Sequence, residues 1–541
     1  MTLPRLTLPA APGALALVAL AFVLPGLAGH DPWKTQDVLG ISIVHGMASS
    51  GDWLVPRVAG RPWLSDPPLY HWVAAVFAAA LGRLMEFHAA ARLASGVFVL
   101  AALRLAYGAA RDWAPPDDRR TSGAAALLIL LGSVGLMVHA HEAVPELAQL
   151  AALCGALAAL PHAARRPAAA GALFGVALGC ALLSASWLAP VALGLAVIGA
   201  HLACDEWRRP RALVFLGIGI PLAAAIGASW PLALAHRSPE LAAAWWGLAS
   251  QPQDTAPRNL EYFLSTGGWF AWPAWPLALW ALWALRRRLA EPRLFVTTAA
   301  SLAALACVAY WGPREDVNLL PLLAPLSLLA AQGVPTVRRG AAAALDWFGV
   351  ITFAFFASLV WLGYTGMMTG VPPKVAANFV RAAPGFAARF DPFAFAVAAA
   401  LTLGWLYAAL LTSPSASRSV TRWAAGIVLL WGTFAMLWMP WADYQKSYRG
   451  VARELSARIP PGSGCVAERF LGLSQAAALD YHAGLRTREF DPQRPSACRL
   501  LLIQGPPGTE YGLPGGGWRK IAEAGRPGDR NERYRLYRLT R

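Results

Sequence analysis

The residues best suited to chemistry follow the first apolar stretch of the chain, in the run His30–Asp37 (HDPWKTQD). Asp31 comes directly after that stretch, and a carboxylate at a membrane–water boundary can act as a general base or hold a metal ion. The same carboxylate could instead cap the helix that is expected over about Lys34 to Ser49. The residues themselves leave both roles open.

Charged side chains continue through Gly51–Trp72 (GDWLVPRVAGRPWLSDPPLYHW). Arg57 and Arg61 are cations beside a membrane, and such side chains can bind a phosphate group. Asp66 precedes two prolines, which stiffen the loop and fix its path. Ordinary contact with lipid headgroups is the simpler alternative for these cations.

A second polar cluster lies in Val138–Gln149 (VHAHEAVPELAQ). His139, Glu142 and Glu146 offer the nitrogen and carboxylate ligands that suit divalent ions. Ionisable groups at membrane depth are costly and usually face a polar cavity. A helix-capping role for Glu142 is an alternative.

Two further segments between apolar runs carry polar side chains. The first contains Arg258 and Glu261, and the second contains Arg314 and Asp316. These residues could line the same cavity as the two clusters above. Taken singly, each is more typical of a solvated loop.

Composition shows what must position these groups. Of the 541 residues, 57% are hydrophobic and 14% are charged, against about 25% charged in a soluble domain. Such a chain needs many lipid-facing segments of about 20 residues. The net charge of +16 comes from basic clusters between apolar runs, which indicates membrane topology and not a nucleic-acid surface.

Thirteen apolar segments are predicted to span the membrane. They cover about 11–29, 88–110, 122–138, 145–162, 169–186, 188–204, 211–231, 269–285, 294–311, 317–335, 343–366, 392–412 and 422–440. The segment 67–86 is also apolar, but we expect it to lie at the interface or within the protein.

Arginine placement gives the predicted orientation. With the amino terminus inside, every multi-arginine cluster between spans falls on the inner side. These clusters are Arg111, Arg119 and Arg120; Arg165 and Arg166; Arg208, Arg209 and Arg211; Arg286–Arg288 and Arg293; and Arg338 and Arg339. Counting 67–86 as a span would place the later clusters outside. The outer regions are then 30–87, about 231–268, and 441–541.

The region 441–541 is predicted to be a small α/β domain. The run VARELSARIP indicates an amphipathic helix, and turns rich in glycine and proline separate short strand-like runs. Those runs are Gly464–Ala467, Arg499–Ile503 and Tyr534–Leu539. Cys465 and Cys498 could form a disulfide if the domain is periplasmic. The other four cysteines lie in apolar runs, where we expect inert core residues.

An acidic residue after the first span, a short helix, and the elements GDWLVPR and PPLYHW together carry a family resemblance. The chain resembles bacterial polyprenyl-phosphate-sugar glycosyltransferases of the protein mannosyltransferase superfamily, and most nearly the lipid A aminoarabinose transferases. The resemblance is strongest over His30–Trp72 and looser to about residue 335. It implies a GT-C fold: a polytopic all-α membrane domain over 1–440 with about 13 transmembrane helices, and a small C-terminal α/β periplasmic domain over 441–541.

The resemblance also implies roles for individual residues. The family's first-loop acidic residue corresponds to Asp31, and the acidic position after the third span corresponds to Glu146. These two are the predicted catalytic residues, with Asp31 as the base. Lys34, Arg57 and Arg61 are predicted to bind the donor phosphate.

Further substrate or metal contacts are expected at five residues, namely Asp66, Tyr70, His139, Arg258 and Arg314. No cofactor is certain, but a divalent metal ion is possible, with Asp66 and His139 as its predicted ligands.

The chain departs from the family pattern at three places. Ser65 and Asp66 stand where relatives often have an acidic residue followed by lysine. Ser184–Trp187 (SASW) replaces a Lys-Gly pair, and Pro313–Pro321 (PREDVNLLP) replaces a basic sequence. Without the family's lysine, phosphate binding passes to Lys34, to the two first-loop arginines or to a metal held by Asp66.

The implied reaction moves a sugar from an undecaprenyl-phosphate carrier to a lipid A, glycan or protein acceptor. It is expected at the periplasmic face of the bacterial inner membrane, with inversion, in a monomer surrounded by membrane lipids. Nucleic acid is not an expected partner. A non-enzymatic lipid or glycolipid transporter or flippase is the alternative, although neither mid-span charges nor inverted repeats are evident. A polysaccharide ligase or polymerase would lack the first-loop pattern.

Overall fold

Long apolar helices dominate the first 440 residues, as their hydrophobic runs predict. The computed structural model describes residues 11–208, 210–252, 256–412, 417–494, 497–508, 512–515 and 517–540. Arg209 of one predicted inner cluster and the first ten residues lie outside these ranges.

The helices of this part of the chain are α1 (Pro12–Val23), α2 (Gln36–Ser50), α3 (Leu69–Leu81), α4 (Phe87–Trp113), α5 (Arg119–Leu131), α6 (Val134–His139), α7 (Glu146–Ala159), α8 (Pro167–Leu182), α9 (Leu188–Ala203), α10 (Pro210–Arg237), α11 (Pro239–Ser250), α12 (Ala256–Phe270), α13 (Ala274–Ala284), α14 (Pro292–Trp311), α15 (Leu323–Gly333), α16 (Arg339–Thr369), α17 (Pro373–Ala382), α18 (Pro392–Leu411) and α19 (Arg418–Leu437). The first loop also contains a short antiparallel pair, β1 (Arg57–Val58) and β2 (Arg61–Pro62).

Six of these helices are long and apolar enough to cross a membrane, namely α4, α10, α14, α16, α18 and α19. Because an α-helix rises about 1.5 Å per residue, roughly 20 residues cross the hydrocarbon core. Five shorter apolar helices, α1, α3, α8, α9 and α13, accompany them. The protein is therefore a helical membrane protein, while thirteen spans and their orientation stay predictions.

The apolar segment 67–86 forms α3, which has only 13 residues and is therefore roughly 20 Å long. Its buried residues Tyr70 and Ala74 pack in one cluster with Ile41 of α2 and Ala94 of α4. This packing agrees with the interpretation of the segment as a helix within the protein.

The last hundred residues form the small mixed domain that the strand-like runs predict. Its elements are α20 (Met439–Lys446), α21 (Arg449–Ala457), β3 (Val466–Arg469), α22 (Leu473–Ala483), β4 (Thr487–Glu489), β5 (Leu500–Gly505), β6 (Trp518–Ala524) and β7 (Arg533–Leu539). The sheet order is β4-β3-β5-β7-β6, in which β3 runs parallel to β4 and β5 and the remaining pairs are antiparallel. Cys465 and Cys498 form a disulfide beside this sheet.

Helix α2 belongs to the core of the C-terminal domain as well as to the first loop. Its buried Val38 and Ile43 pack in one cluster with Val451, Leu455 and Leu479 of that domain. Its opposite side packs against α3 and α4. The C-terminal domain and the membrane domain therefore both determine where α2 lies.

Candidate active site

A cavity of about 340 Å³ lies where the first loop meets the start of α7, the turn between α8 and α9, and the segment after α14. Three carboxylates line it, those of Asp66, Glu146 and Glu315. We call it the carboxylate cavity. Pockets of this kind, with a few polar groups in an apolar wall, are typical of ligand sites.

Glu146 is the first residue of α7, and its side chain is only 8% exposed. The start of a helix has free backbone N–H groups and a partial positive charge, which favour a carboxylate there. The neighbouring wall is fixed by Gln149, whose amide donates to the carbonyl oxygens of Ala181 (3.0 Å) and Ser186 (2.7 Å). Glu146 therefore faces the cavity from a rigid helix end.

Asp66 enters the same cavity from the first loop. Its carboxylate accepts a hydrogen bond from the indole N–H of Trp63 at 3.2 Å. Burial raises the pKa of Asp66 to about 6; the Trp63 bond works against this rise, and the negative charge of Glu315 adds to it. Asp66 is therefore a carboxylate whose ionisation the site makes costly.

The lining is acidic and carries no compensating basic side chain. Among the described residues that line the cavity there is no lysine or arginine. Glu146 is buried, Asp66 is half-buried and Glu315 is exposed, and like charges that line one cavity repel one another. The arrangement fits a cation, and oxygen ligands of this type suit a divalent metal ion.

Tryptophans form much of the remaining wall. Trp187 donates to the carbonyl oxygen of Ala249 at 3.0 Å, and Trp311 donates to that of Ser250 at 3.2 Å. Both indoles line the cavity, and these bonds hold their rings in place. Rigid aromatic faces with an anchored N–H give a site a defined shape.

All three departures from the family pattern meet in this cavity. Its lining includes Asp66 from the first, Ser186 and Trp187 from the second, and Glu315 and Asn318 from the third. The three segments singled out in the sequence therefore contribute to the wall of one cavity, although they are far apart in sequence.

The structure places Asp31 elsewhere. Asp31 lines a groove of about 690 Å³ between the first loop and the C-terminal domain, which we call the domain groove. Its carboxylate accepts hydrogen bonds from Arg449 Nε at 3.0 Å and from Ser447 Oγ at 2.5 Å. Burial raises the pKa of Asp31, but the bonds from Arg449 and Ser447 outweigh it, so the pKa lies below its usual value. Asp31 and Glu146 therefore line different cavities.

The alternative role of Asp31 as a helix cap is wrong. Helix α2 begins at Gln36, its N-cap residue is Thr35, and no side chain caps it. The carboxylate of Asp31 instead holds the start of α21 through Arg449.

The predicted phosphate-binding cations are partnered by carboxylates. Lys34 Nζ lies 2.6 Å from a carboxylate oxygen of Glu532. Arg61 lies 2.5 Å from a carboxylate oxygen of Glu468. Both partners belong to the C-terminal domain, so these two cations join it to the first loop.

Arg57 is the third predicted phosphate-binding cation, and its nearest acidic partner is in its own loop. Its guanidinium lies 3.9 Å from a carboxylate oxygen of Asp52. None of the three cations is among the residues that line the carboxylate cavity.

His139 lies beside this cavity and not in its lining. Its Nδ1 lies 2.6 Å from a carboxylate oxygen of Glu142, and its Nε2 lies 3.6 Å from one of Asp316. Within the described residues, one group of three close metal-ligand side chains occurs, formed by Asp31, Glu86 and His88. Arg449 already pairs with Asp31, so one of the three possible ligands of that group is engaged.

The remaining predicted contacts are not among the residues that line the cavity. Tyr70 is fully buried, and its hydroxyl forms a 2.7 Å hydrogen bond with Ser95. Arg258 is exposed on α12, and Arg314 is exposed in the segment after α14. Of the predicted site residues, the structure thus brings Asp66 and Glu146 together in the lining of one cavity.

Sequence reasoning missed three residues near the site. The side-chain amide of Gln36 donates to Glu315 at 2.7 Å, which joins two walls of the cavity. Asp37 and Arg92 form a fully buried ion pair behind it. An arginine inside an apolar helix was the available signal, because such a charge requires a partner.

No protein-family model matches the chain. In sequence it is 26% identical over 402 residues to the undecaprenyl phosphate-alpha-4-amino-4-deoxy-L-arabinose arabinosyl transferase of Yersinia enterocolitica, covering 69% of this chain and 70% of the relative. In structure it matches ArnT from Cupriavidus metallidurans bound to undecaprenyl phosphate, with a TM-score of 0.71, 18% identity and 97% coverage of both chains. The apo state of the same protein gives a TM-score of 0.70, 19% identity and 98% coverage of both chains. The chain therefore has the fold of ArnT and is similar in sequence to an undecaprenyl-phosphate-sugar arabinosyl transferase, which confirms the resemblance to polyprenyl-phosphate-sugar glycosyltransferases that the first-loop motifs indicate.

Proposed function

We propose that the protein transfers a sugar from an undecaprenyl-phosphate carrier to an acceptor hydroxyl, and that the transfer takes place in the carboxylate cavity. The observation that carries the proposal is the meeting of Asp66 and Glu146 in one cavity of an ArnT-like fold. The sequence relative that acts on an undecaprenyl-phosphate-linked sugar supports the donor class. The apolar helices around the cavity supply surface for a polyprenyl tail.

The proposed reaction takes place on the periplasmic side of the inner membrane. The arginine clusters support this orientation because they fall on the opposite side of the predicted topology. The disulfide between Cys465 and Cys498 supports it as well, since disulfides persist in oxidising compartments such as the periplasm. The C-terminal domain would then face the periplasm together with the cavity.

Glu146 is the proposed general base. It takes the proton of the acceptor hydroxyl as the acceptor oxygen bonds to the anomeric carbon. The bond from that carbon to the phosphate oxygen breaks, the electron pair leaves with the phosphate, and attack from the opposite face inverts the anomeric centre. Glu146 suits this task better than Asp31, because Arg449 and Ser447 already engage the oxygens of Asp31.

A divalent metal ion is the proposed partner of the donor phosphate. The acidic lining, whose described residues include no basic side chain, supports the proposal of a bound cation. Asp66 and Glu315 would hold the ion, which would supply positive charge beside the departing phosphate. His139 is less suited than predicted, because Glu142 and Asp316 already engage it.

The acceptor is proposed to be lipid A, another envelope glycan or a protein. Mass spectrometry of lipid A and envelope glycans, from cells with and without the protein, identifies both the sugar and the acceptor. We expect Glu146→Gln to abolish the added mass while the protein remains in the membrane. Glu142→Gln, the same substitution outside the cavity lining, is the matched control and should retain the product. An unchanged product in the Glu146→Gln strain would refute the assignment.

A further inference from the structure

We propose that Asp37 is a positioning residue that fixes the first loop against the segment leading into Glu146. It thereby sets the distance between two walls of the carboxylate cavity. The inference rests on the proposed function, because it gives Asp37 a task at the same site. Asp37 itself is not among the residues that line the cavity.

The ion pair between Asp37 and Arg92 is the first part of the evidence. Asp37 is 2% exposed and Arg92 is 0% exposed. Arg92 donates through Nη2 to Asp37 Oδ2 at 2.5 Å and through Nε to Oδ1 at 3.1 Å. A two-pronged bond of this kind fixes relative orientation as well as distance.

The same pair ties together three segments of the chain. Arg92 on α4 also donates to the backbone carbonyl oxygens of His30 and Asp31, both at 3.0 Å. Asp37 Oδ1 accepts a bond from the backbone N–H of Ala143 at 2.8 Å. The first loop, α4 and the segment before α7 therefore meet at one carboxylate.

Both neighbours of this junction reach the cavity. Gln36, next to Asp37 in sequence, lines the cavity on the first-loop side. Glu146 lines it three residues after Ala143, whose backbone N–H Asp37 holds. A displacement at Asp37 would therefore change the distance between the first loop and the proposed base.

Close backbone packing at Gly40 is a second contact between α2 and the segment before α7, and it involves no charged group. A Cβ atom at Gly40 would overlap the carbonyl oxygen of Ala143, which is backbone and cannot rotate away. Gly40 therefore allows α2 to approach the segment before α7 at Ala143, the residue whose N–H Asp37 also binds. Substitution of this glycine forces the two walls apart while leaving Asp37 and Arg92 intact.

The Asp37–Arg92 pair is better explained by its positioning of the cavity wall than by a contribution to the stability of the fold. Burying two charges costs about as much as their attraction returns, so a buried ion pair is weak evidence for stability. Removal of the Asp37 carboxylate charge also weakens the bond to the Ala143 N–H, a buried donor that then lacks a good acceptor. The expected consequence is local movement of one cavity wall.

A second buried ion pair gives a matched control. Asp346 on α16 is 4% exposed and pairs with Arg418 at 2.8 Å and Arg422 at 2.7 Å on α19. None of the three residues lines the carboxylate cavity. Asp346→Asn thus removes a comparable buried charge without touching the proposed junction.

The experiment uses the purified full-length protein in lipid nanodiscs with an undecaprenyl-phosphate sugar donor. It measures kcat, donor KM and thermal unfolding for Asp37→Asn, Gly40→Ala and Asp346→Asn. Because displacements of about 1 Å can cost on the order of a hundredfold in rate, we expect the first two variants to lose tenfold or more in kcat with little change in donor KM. Asp346→Asn should lower the unfolding temperature as much as Asp37→Asn while keeping kcat within about twofold of the unsubstituted protein.

Equal loss of kcat in Asp346→Asn, or an unchanged kcat in Asp37→Asn or Gly40→Ala, would overturn the inference. Gly40→Ala keeps the test decisive if Asp37→Asn does not fold. An unsubstituted protein without any transfer would contradict the proposed function instead, so the two failures are distinguishable.

Discussion

Replacement of Asp66 by asparagine tests whether the ionised Asp66 carboxylate, which the proposed reaction needs, lowers the stability of the folded protein. Asparagine has nearly the same shape and can still accept the bond from the Trp63 N–H. The pKa of Asp66 is raised from 3.8 to about 6, mainly by burial. The ionised side chain therefore destabilises the folded protein, and Asp66→Asn removes that penalty.

The sign of the pH dependence follows from proton binding. Between pH 4 and pH 6 the folded protein holds the Asp66 proton more tightly than the unfolded chain does, because the folded pKa is about 6 and the unfolded one 3.8. Stability therefore falls as the pH rises through this window and stays at the lower level above it. A shift of about two pKa units corresponds to at most ~3 kcal/mol, and partial exposure of Asp66 reduces this to about 1–2 kcal/mol.

The assay is thermal unfolding followed by tryptophan fluorescence at one fixed heating rate. At pH 7.5 we expect Asp66→Asn to unfold a few degrees above the unsubstituted protein, on the order of 2 °C. At pH 4 the difference should vanish, and transfer activity should be lost throughout. Asp117→Asn, at an exposed site, is the control and should show no pH-dependent shift. A variant that is less stable at pH 7.5, or equally shifted at both pH values, would refute the reasoning.

Two further outcomes separate the candidate residues. Asp31→Asn should weaken docking of the C-terminal domain by about 1–3 kcal/mol, because Arg449 loses the nearer of its two carboxylate partners among the described residues and keeps only Glu86. Faster limited proteolysis checks this. Loss of all transfer with docking intact would instead support Asp31 as the base. Chelation of divalent ions should reduce transfer and added Mg²⁺ or Mn²⁺ should restore it, whereas Asp66→Asn should not recover; full activity after chelation would exclude the proposed metal. Because the pKa of Asp66 is about 6, recovery by metal should also weaken below pH 6 as protons compete for the carboxylate.

Hydrophobic pattern predicts most of the architecture because each element carries its own signal. The run around Val451 has the helical period of α21, and the strand-like run Arg499–Ile503 is the central strand β5. The apolar segment 67–86 also forms a helix, α3, too short to span a membrane. The exact number of spans is harder to predict, because several apolar segments fold into helices shorter than a membrane crossing.

The site is less predictable, because pairing between distant residues decides it. The carboxylate of Asp31 has the position expected of a catalytic group in its loop, yet its partner Arg449 lies in the C-terminal domain. Lys34 pairs with Glu532 in the same way. One side of the first loop therefore binds the C-terminal domain, and the other side forms a wall of the carboxylate cavity. The spacing of charged residues in the sequence does not tell which charges belong to which side.

The acidic charge of the carboxylate cavity comes from several segments of the chain and not from one substitution. Asp66, Trp187 and Glu315 line one cavity, although more than a hundred residues separate each from the next. A single acidic substitution in a phosphate site would repel the donor and leave its other cations unpaired. The carboxylates of three segments instead give this cavity an acidic lining. If the proposed donor binds there together with a divalent ion, the two should bind with positive coupling, each raising the affinity for the other.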